Sequence, residues 1–330
     1  MGQAASKGVA EDVIQIARAI ASHIGPHSSC RTGADAAAGC VEHCIRLFDR
    51  SIWPAVAWRF SALCADGSPL LFDFSSADDR LRCACEVAAP EVATHARLDL
   101  AIDLIAELGG ALPSGALVRE WRSLQAKHTL RWGAWLGIRH DGAHAMLKLY
   151  VEVPREAIPL SIPGLEAIVP SSRLLMIGYD CTRGSQEVYF RQPPMSEVEL
   201  DGFTAFMHAD SRRRCVLDEF ASLCGLPAWA ALRWTNYGYS IARETPASDI
   251  LLSLFIRSRS IGDASRIRRQ FLNSVSRSTT TAAYRSLIGD VADEDLPDHG
   301  MVSLIARKPG EIEMRVGLSA TALARLCVTR

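Results

Sequence analysis

The 330-residue sequence has no apolar run near the roughly 18–20 residues that a membrane-crossing helix requires. Nor does a basic start precede a secretory apolar segment. Charge of one sign is missing too: 36 Lys and Arg face 37 Asp and Glu, for a formal net charge of −1. That balance argues against a nucleic-acid binder working through a global positive field. The two local basic runs, 211–214 and 266–269, fall in predicted helices and read as solvated faces. The ten cysteines lack the repeated C-x-x-C spacing of a zinc site. Cys40 and Cys44 share a helix face, and Cys83 and Cys85 a strand face; buried reduced thiols, hence a cytoplasmic protein, are the expectation. His140 and His144 flank a turn and read as loop residues rather than metal ligands. No Gly-x-Ser-x-Gly elbow, P-loop or dinucleotide fingerprint occurs. Met1-Gly2-Gln3-Ala4-Ala5-Ser6 fits the myristoylation pattern, a motif too short to carry that assignment.

What is present is a repeat. Five stretches of paired, alternating strands fall at about 68–88, 132–154, 173–193, 232–259 and 298–318, recurring roughly every sixty residues. Their turns are marked by Asp78–Asp79, Asp141–Gly142, Arg183–Gly184, Pro246 and Pro309–Gly310. Amphipathic helices are predicted between the pairs, at about 91–109, 115–128, 196–209, 212–224, 263–277 and 280–290. Two more precede the first pair, at 10–23 and 35–50, and a closing helix at 319–328 is capped by Ser319. Ten antiparallel strands with helices outside predict a closed barrel, which leaves no unpaired edge. No linker or composition shift breaks the chain, so one domain over 1–330 is expected.

Alternation then sorts the faces. In Met146–Val153, Leu147, Leu149, Val151 and Val153 share one side, and Lys148, Tyr150 and Glu152 the other. If helices cover the outside, the polar set faces the lumen. The same holds for Arg82, for Ser185, Glu187, Tyr189 and Arg191, and for Glu313 and Arg315. A lumen lined by Lys, Arg and Tyr fits an anionic ligand with an apolar body. A two-layer sheet with its polar face in water would show the same alternation, and Arg82 paired with Glu86 on its own face is the plain structural alternative.

The stretch Asp66–Ser75, with Arg82-x-x-x-Glu86 on the next strand, resembles the opening hairpin of the dimethylallyltryptophan synthase family of aromatic prenyltransferases. Lys148-x-Tyr150 and Gly178–Cys181 leading to Val188–Arg191 look like its second and third hairpins. The motif likeness runs from residue 68 to about 260, and the helix–strand order extends it over the whole chain.

The resemblance implies an α+β fold, a ten-stranded antiparallel barrel ringed by α-helices. It implies a metal-independent enzyme, without cofactor, that joins dimethylallyl or geranyl diphosphate to an indole or tryptophan-derived ring. Acceptors on small cyclic peptides are the alternative within enzymes, and a non-catalytic barrel binding an apolar anion the alternative outside them. No paired Asp-Asp-x-x-Asp boxes are present, so cations must neutralise the diphosphate. The family places two of these at Arg82 and Lys148. Tyr150 and Tyr189 correspond to its aromatic shield around the allyl cation, and Asp73 to the acid that accepts the indole N–H and helps remove a proton.

Departures accompany the likeness. Ser185-x-Glu187-x-Tyr189 stands where the family has Arg-x-Lys-x-Tyr, and Ser253-x-Phe255 where it has Gln-x-Tyr, with Phe255 keeping a ring. Arg315 stands where a tyrosine is expected. From alternation rather than resemblance, Arg257 and Arg315 are candidates to restore the lost positive charge. The expected partners are the prenyl diphosphate and a small aromatic acceptor, with no nucleic acid or membrane, on a monomer or weak homodimer.

Overall fold

The computed structural model describes residues 61–77, 81–140, 145–155, 172–242, 251–274, 279–308 and 310–328. The predicted helices at 10–23 and 35–50, the Cys40/Cys44 pair, the Met1–Ser6 motif, His144, and the turns at Asp78–Asp79, Asp141–Gly142, Pro246 and Pro309 lie outside these residues.

Ten strands form one closed antiparallel barrel, each hydrogen-bonded to its neighbours in the chain and the last to the first. They are β1 (Leu70–Ser75), β2 (Leu81–Glu86), β3 (Ala134–His140), β4 (Ala145–Glu152), β5 (Arg173–Asp180), β6 (Gln186–Gln192), β7 (Tyr237–Ala242), β8 (Leu251–Arg257), β9 (Met301–Lys308) and β10 (Glu311–Ser319). Closure is carried by β1 and β10, whose register runs from Leu71 opposite Ser319 to Ser75 opposite Arg315. The open-sheet alternative is thereby ruled out, and no edge is left to aggregate.

Helices cover the outer wall. α1 (Arg97–Glu107) packs on β3 and β4, α2 (Gly115–Ala126) follows it, and α3 (Glu197–His208) lies beside α4 (Ser211–Cys224). α4 spans β8, β9 and β10. After α5 (Ala228–Trp234), α6 (Ser258–Ile261) and α7 (Ala264–Asn273), α8 (Thr279–Ile288) packs on β1, and α9 (Ala320–Val328) on β1 and β10. Among the described residues no single helix is long and apolar enough to cross a membrane. Ser196 and Glu199 close a capping box on α3, and Ser319 accepts the Ala322 N–H at 3.0 Å to start α9.

The outward strand residues form the core against these helices. Phe72, Phe74, Leu149, Val151, Leu254 and Val316 are all buried, each such side chain stabilising the fold by roughly 1.5–3 kcal/mol relative to exposure. Cys83 and Cys85, on the same face of β2, are both buried. The fourth strand pair begins at Tyr237 rather than near 232, because α5 occupies Ala228–Trp234. Its run of Ala and Trp carries no strand alternation, and Pro227 is its N-cap.

One buried histidine makes this core sensitive to acid. His299, 2% exposed, meets the Tyr284 hydroxyl at 2.6 Å through Nε2. Burial, then the positive Arg268, hold its pKa down from 6.5 to about 4. Below pH 6.5 the unfolded chain therefore binds a proton that the folded chain refuses. Stability is full above that value and falls as the pH drops toward about 4, by on the order of 3 kcal/mol. Chemical denaturation between pH 7 and 4 should show this loss, and His299→Gln should flatten it.

Candidate active site

The inward residues follow from register. One hydrogen-bonded row runs Ser75, Arg315, Ser303, Phe255, Gly238, Arg191, Arg173 across seven strands. A second runs Glu86, Trp135, Tyr150, Gly178, Glu187, Ala242. A third joins Gly317, Asp73, Arg82 and Arg139. Strand alternation points all of these away from the helix-covered wall. Asp73, Arg82, Lys148, Tyr150, Glu187, Tyr189, Phe255, Arg257 and Arg315 thus share the lumen face, whereas Ser185 lies in the turn before β6.

Three rings form a continuous lining. Tyr150 and Tyr189 meet edge to face at 5.9 Å between centroids, and Tyr189 and Phe255 lie 6.0 Å apart. The Lys148 ammonium sits 5.4 Å from the Tyr150 centroid and 5.3 Å from that of Tyr189. Glycines make room for these groups. A Cβ on Gly137 would lie 2.8 Å from the Tyr150 ring, one on Gly178 2.6 Å from Lys148 Cε, and one on Gly238 2.3 Å from the Phe255 ring. Each side chain lies against the wall over a missing Cβ.

The cations are not bare. Lys148 donates to Glu187 and, at 2.9 Å, to the Tyr189 hydroxyl, which donates to the same Glu187 carboxylate at 2.7 Å. The Ser240 hydroxyl donates to its other oxygen. Burial alone would push the Glu187 carboxyl up, but Lys148, Ser240 and Tyr189 bring it down to about 2. Burial would likewise lower the Lys148 ammonium, and Glu187 beside it leaves it above the ordinary lysine value. Burial and then Glu187 push the Tyr189 phenol well up, keeping it a hydrogen-bond donor.

A second cluster sits on β1, β2 and β10. Arg315 grips the fully buried Glu313 with both arms of its fork, at 2.6 and 3.2 Å. Ser75 donates to Glu313 at 2.7 Å, and Arg82 pairs with it at 3.5 Å. The partner of Arg82 is therefore Glu313, not Glu86 of its own strand face. Glu86 belongs to Arg97, at 2.7 Å, because Arg97 reaches in from the start of α1. Asp73 lies within the field of this cluster: burial raises its carboxyl, Arg315 and Arg82 pull it back, and Glu313 pushes it up further. Arg315 is also within electrostatic reach of Lys148 and Glu187, so one chamber holds both clusters.

Two residues have other positions or duties than the sequence pattern implies. Arg257 has the lumen parity assigned to it, but its charged neighbours are Arg131, Arg191 and Arg259 at the mouth where strands pass into helices. Alternation gives in or out, not height along the barrel. Glu152 is buried and accepts the backbone N–H groups of Arg131, Trp132 and Gly133 at 2.6–3.1 Å, fixing the chain entering β3. Sequence reasoning did not single out Ser75 and Ser240, although both have the parity of Asp73 and Tyr189; a hydroxyl on a lumen row is the signal that would have found them.

No protein-family model matches the sequence, and no curated protein matches it. Solved structures do. The chain is similar to 5-dimethylallyltryptophan synthase from Streptomyces coelicolor, solved with DMASPP and Trp, with 13% identity, a TM-score of 0.68, and 94% of this chain and 96% of that one covered. It is similar to 6-dimethylallyltryptophan synthase from Micromonospora olivasterospora, with 14% identity, a TM-score of 0.62, and coverage of 92% and 98%. The prenyltransferase PriB, solved with product diphosphate, matches with 14% identity, a TM-score of 0.66, and coverage of 94% and 97%. The chain has the prenyltransferase barrel fold, as the resemblance of its hairpins implied.

Proposed function

We propose that this chain is a metal-independent aromatic prenyltransferase, moving a dimethylallyl or geranyl group from its diphosphate to an indole- or tryptophan-derived ring by electrophilic substitution. The observation that carries the reading is a lysine ammonium against two contiguous tyrosine rings, inside a closed barrel that also holds Asp73. Lys148, Arg82 and Arg315 are the donors that would stabilise the departing diphosphate as its C–O bond breaks. The faces of Tyr150, Tyr189 and Phe255 would attract the allyl cation by about 0.5–2 kcal/mol each and exclude water. Asp73 would accept the acceptor's N–H and take up the ring proton. The fold likeness to synthases solved with a prenyl diphosphate analogue and tryptophan supports this reading.

Glu187 and Glu313 favour a second reading, a barrel that binds an apolar anion without turning it over. Together they offset two of the three positive charges of Lys148, Arg82 and Arg315. One experiment separates the two. The protein is incubated with either diphosphate, EDTA and a panel of indoles, and products are followed by mass. A prenyl mass increment is expected; a ligand-dependent thermal shift with no product from any pair would favour the binding barrel.

A further inference from the structure

In the described structure a group of arginines without carboxylate partners lies outside the inner chamber. Arg131 precedes β3, Arg191 lies near the end of β6, Arg257 ends β8 and Arg259 follows it, and all four are exposed. They cluster at the mouth where strands meet helices: Arg131, Arg191 and Arg259 are the charges that act on Arg257. Arg173, opening β5, faces Arg191 in register. Among the described residues, none of Arg131, Arg191, Arg257 and Arg259 forms an ion pair. The two carboxylates beside Arg131 are already committed, Glu152 to the backbone of Arg131–Gly133 and Glu86 to Arg97 and Ser61. The contrast with Lys148, Arg82 and Arg315, each facing a carboxylate, is direct.

The row that carries Arg191 crosses the wall to the aromatic lining. Arg191 pairs with Gly238, and Gly238 with Phe255, the one of the three contiguous rings that lies on that row. Trp132 and Trp135, stacked at 3.8 Å, follow directly on Arg131. A guanidinium offers two parallel donors to a planar or tetrahedral oxyanion, and several such forks converging suit a group with two charges and three terminal oxygens. A single carboxylate would leave most of the cluster repelling itself.

We propose that this mouth is a second anion site, which takes the phosphate monoester group of a small aromatic molecule whose ring reaches inward toward Phe255. Where the chain transfers prenyl groups, that molecule is the acceptor, so this step rests on the proposed function. The site itself is testable without turnover.

The test is isothermal titration with phenyl phosphate, phenylacetate and phenol. Wild-type protein should bind phenyl phosphate at least about tenfold more tightly than phenylacetate, and more weakly as salt rises. Arg191→Gln/Arg257→Gln should lose at least about tenfold in phenyl phosphate affinity. Arg191→Lys/Arg257→Lys, which keeps charge but loses the forks, should fall between. Lys148→Met/Glu187→Gln, altered only in the inner chamber, should bind as wild type does. Undetectable binding by wild type, undiminished binding by both arginine variants, or loss confined to the inner-chamber variant would each overturn the proposal. Failure of the indole assay above would leave this titration standing, and the reverse is equally true.

Discussion

Lys148→Met is expected to abolish prenyl transfer and to destabilise the protein, while adding Glu187→Gln restores the stability and not the turnover. In the single variant Glu187 keeps a charge that burial disfavours, with only two hydroxyls to hold it. Removing one partner of a buried pair costs about 3–5 kcal/mol. With these side chains 25% and 20% exposed, roughly 2–3 kcal/mol is the better expectation. At about 2–4 °C per kcal/mol, that is a melting temperature lowered by roughly 5–10 °C. In the double variant the orphaned charge is gone, so the melting temperature returns, but the cation that would meet the diphosphate is still missing.

Glu187→Gln alone completes the cycle. It frees Lys148 from its internal counter-ion, so pyrophosphate should bind about tenfold more tightly than to wild type. It should also remove a stability loss at low pH. With the Glu187 carboxyl held at about 2 against an ordinary 4.5, its stabilisation is present above pH 4.5 and disappears as the pH falls toward 2. That window lies below the one set by His299, so scanning calorimetry across pH resolves the two. Turnover that survives in Lys148→Met would remove Lys148 from the diphosphate site.

The difference between what was legible in the sequence and what was not follows from what alternation encodes. A strand such as Met146–Val153 states which side chains share a face, and the five turn markers state where the chain reverses. Together these fix ten antiparallel strands with one face against helices; an open two-layer sheet shares that pattern, and the pairing of β1 with β10 is what closes the barrel. Parity does not encode which lumen residues meet. Arg82 finds Glu313 only because β1 lies between β2 and β10 in the closed barrel, a neighbour relation that no local pattern contains. Lys148 and Glu187 meet because Gly178, on the strand between them, has no side chain to intervene. Height along the axis is also absent from parity, which is why Arg257 and Arg315 looked equivalent and lie apart. The hairpin likeness located Asp73, Arg82, Lys148, Tyr150 and Tyr189 on one lumen face; it did not foresee that every cation there would face a carboxylate.

Asp73→Asn is expected to lower turnover by about 10²–10⁴-fold while leaving the affinity for pyrophosphate unchanged. The side chain sits opposite Arg82 on one side and Gly317 on the other, a position where a Cβ on Gly317 would come within 3.1 Å of its carboxylate. Burial dominates its titration and raises the carboxyl above its ordinary 3.8, with Arg315 and Arg82 opposing. A base must be ionised to act, so the wild-type rate should climb with pH through this raised value, at higher pH than a solvent-exposed aspartate would give. The acid limb should vanish in Asp73→Asn. Linkage gives the opposite sign for stability. A carboxyl raised by folding binds its proton more tightly in the folded chain, so the fold loses stability as the pH rises through that value. Asparagine, which cannot ionise, should therefore leave the melting temperature at neutral pH unchanged or higher. A purely structural aspartate, held by Arg82 and Arg315, would do the reverse: its removal would lower the melting temperature and spare the pH profile. Measuring both on one variant distinguishes a group retained for its chemistry at a cost to the fold from one retained for the fold itself.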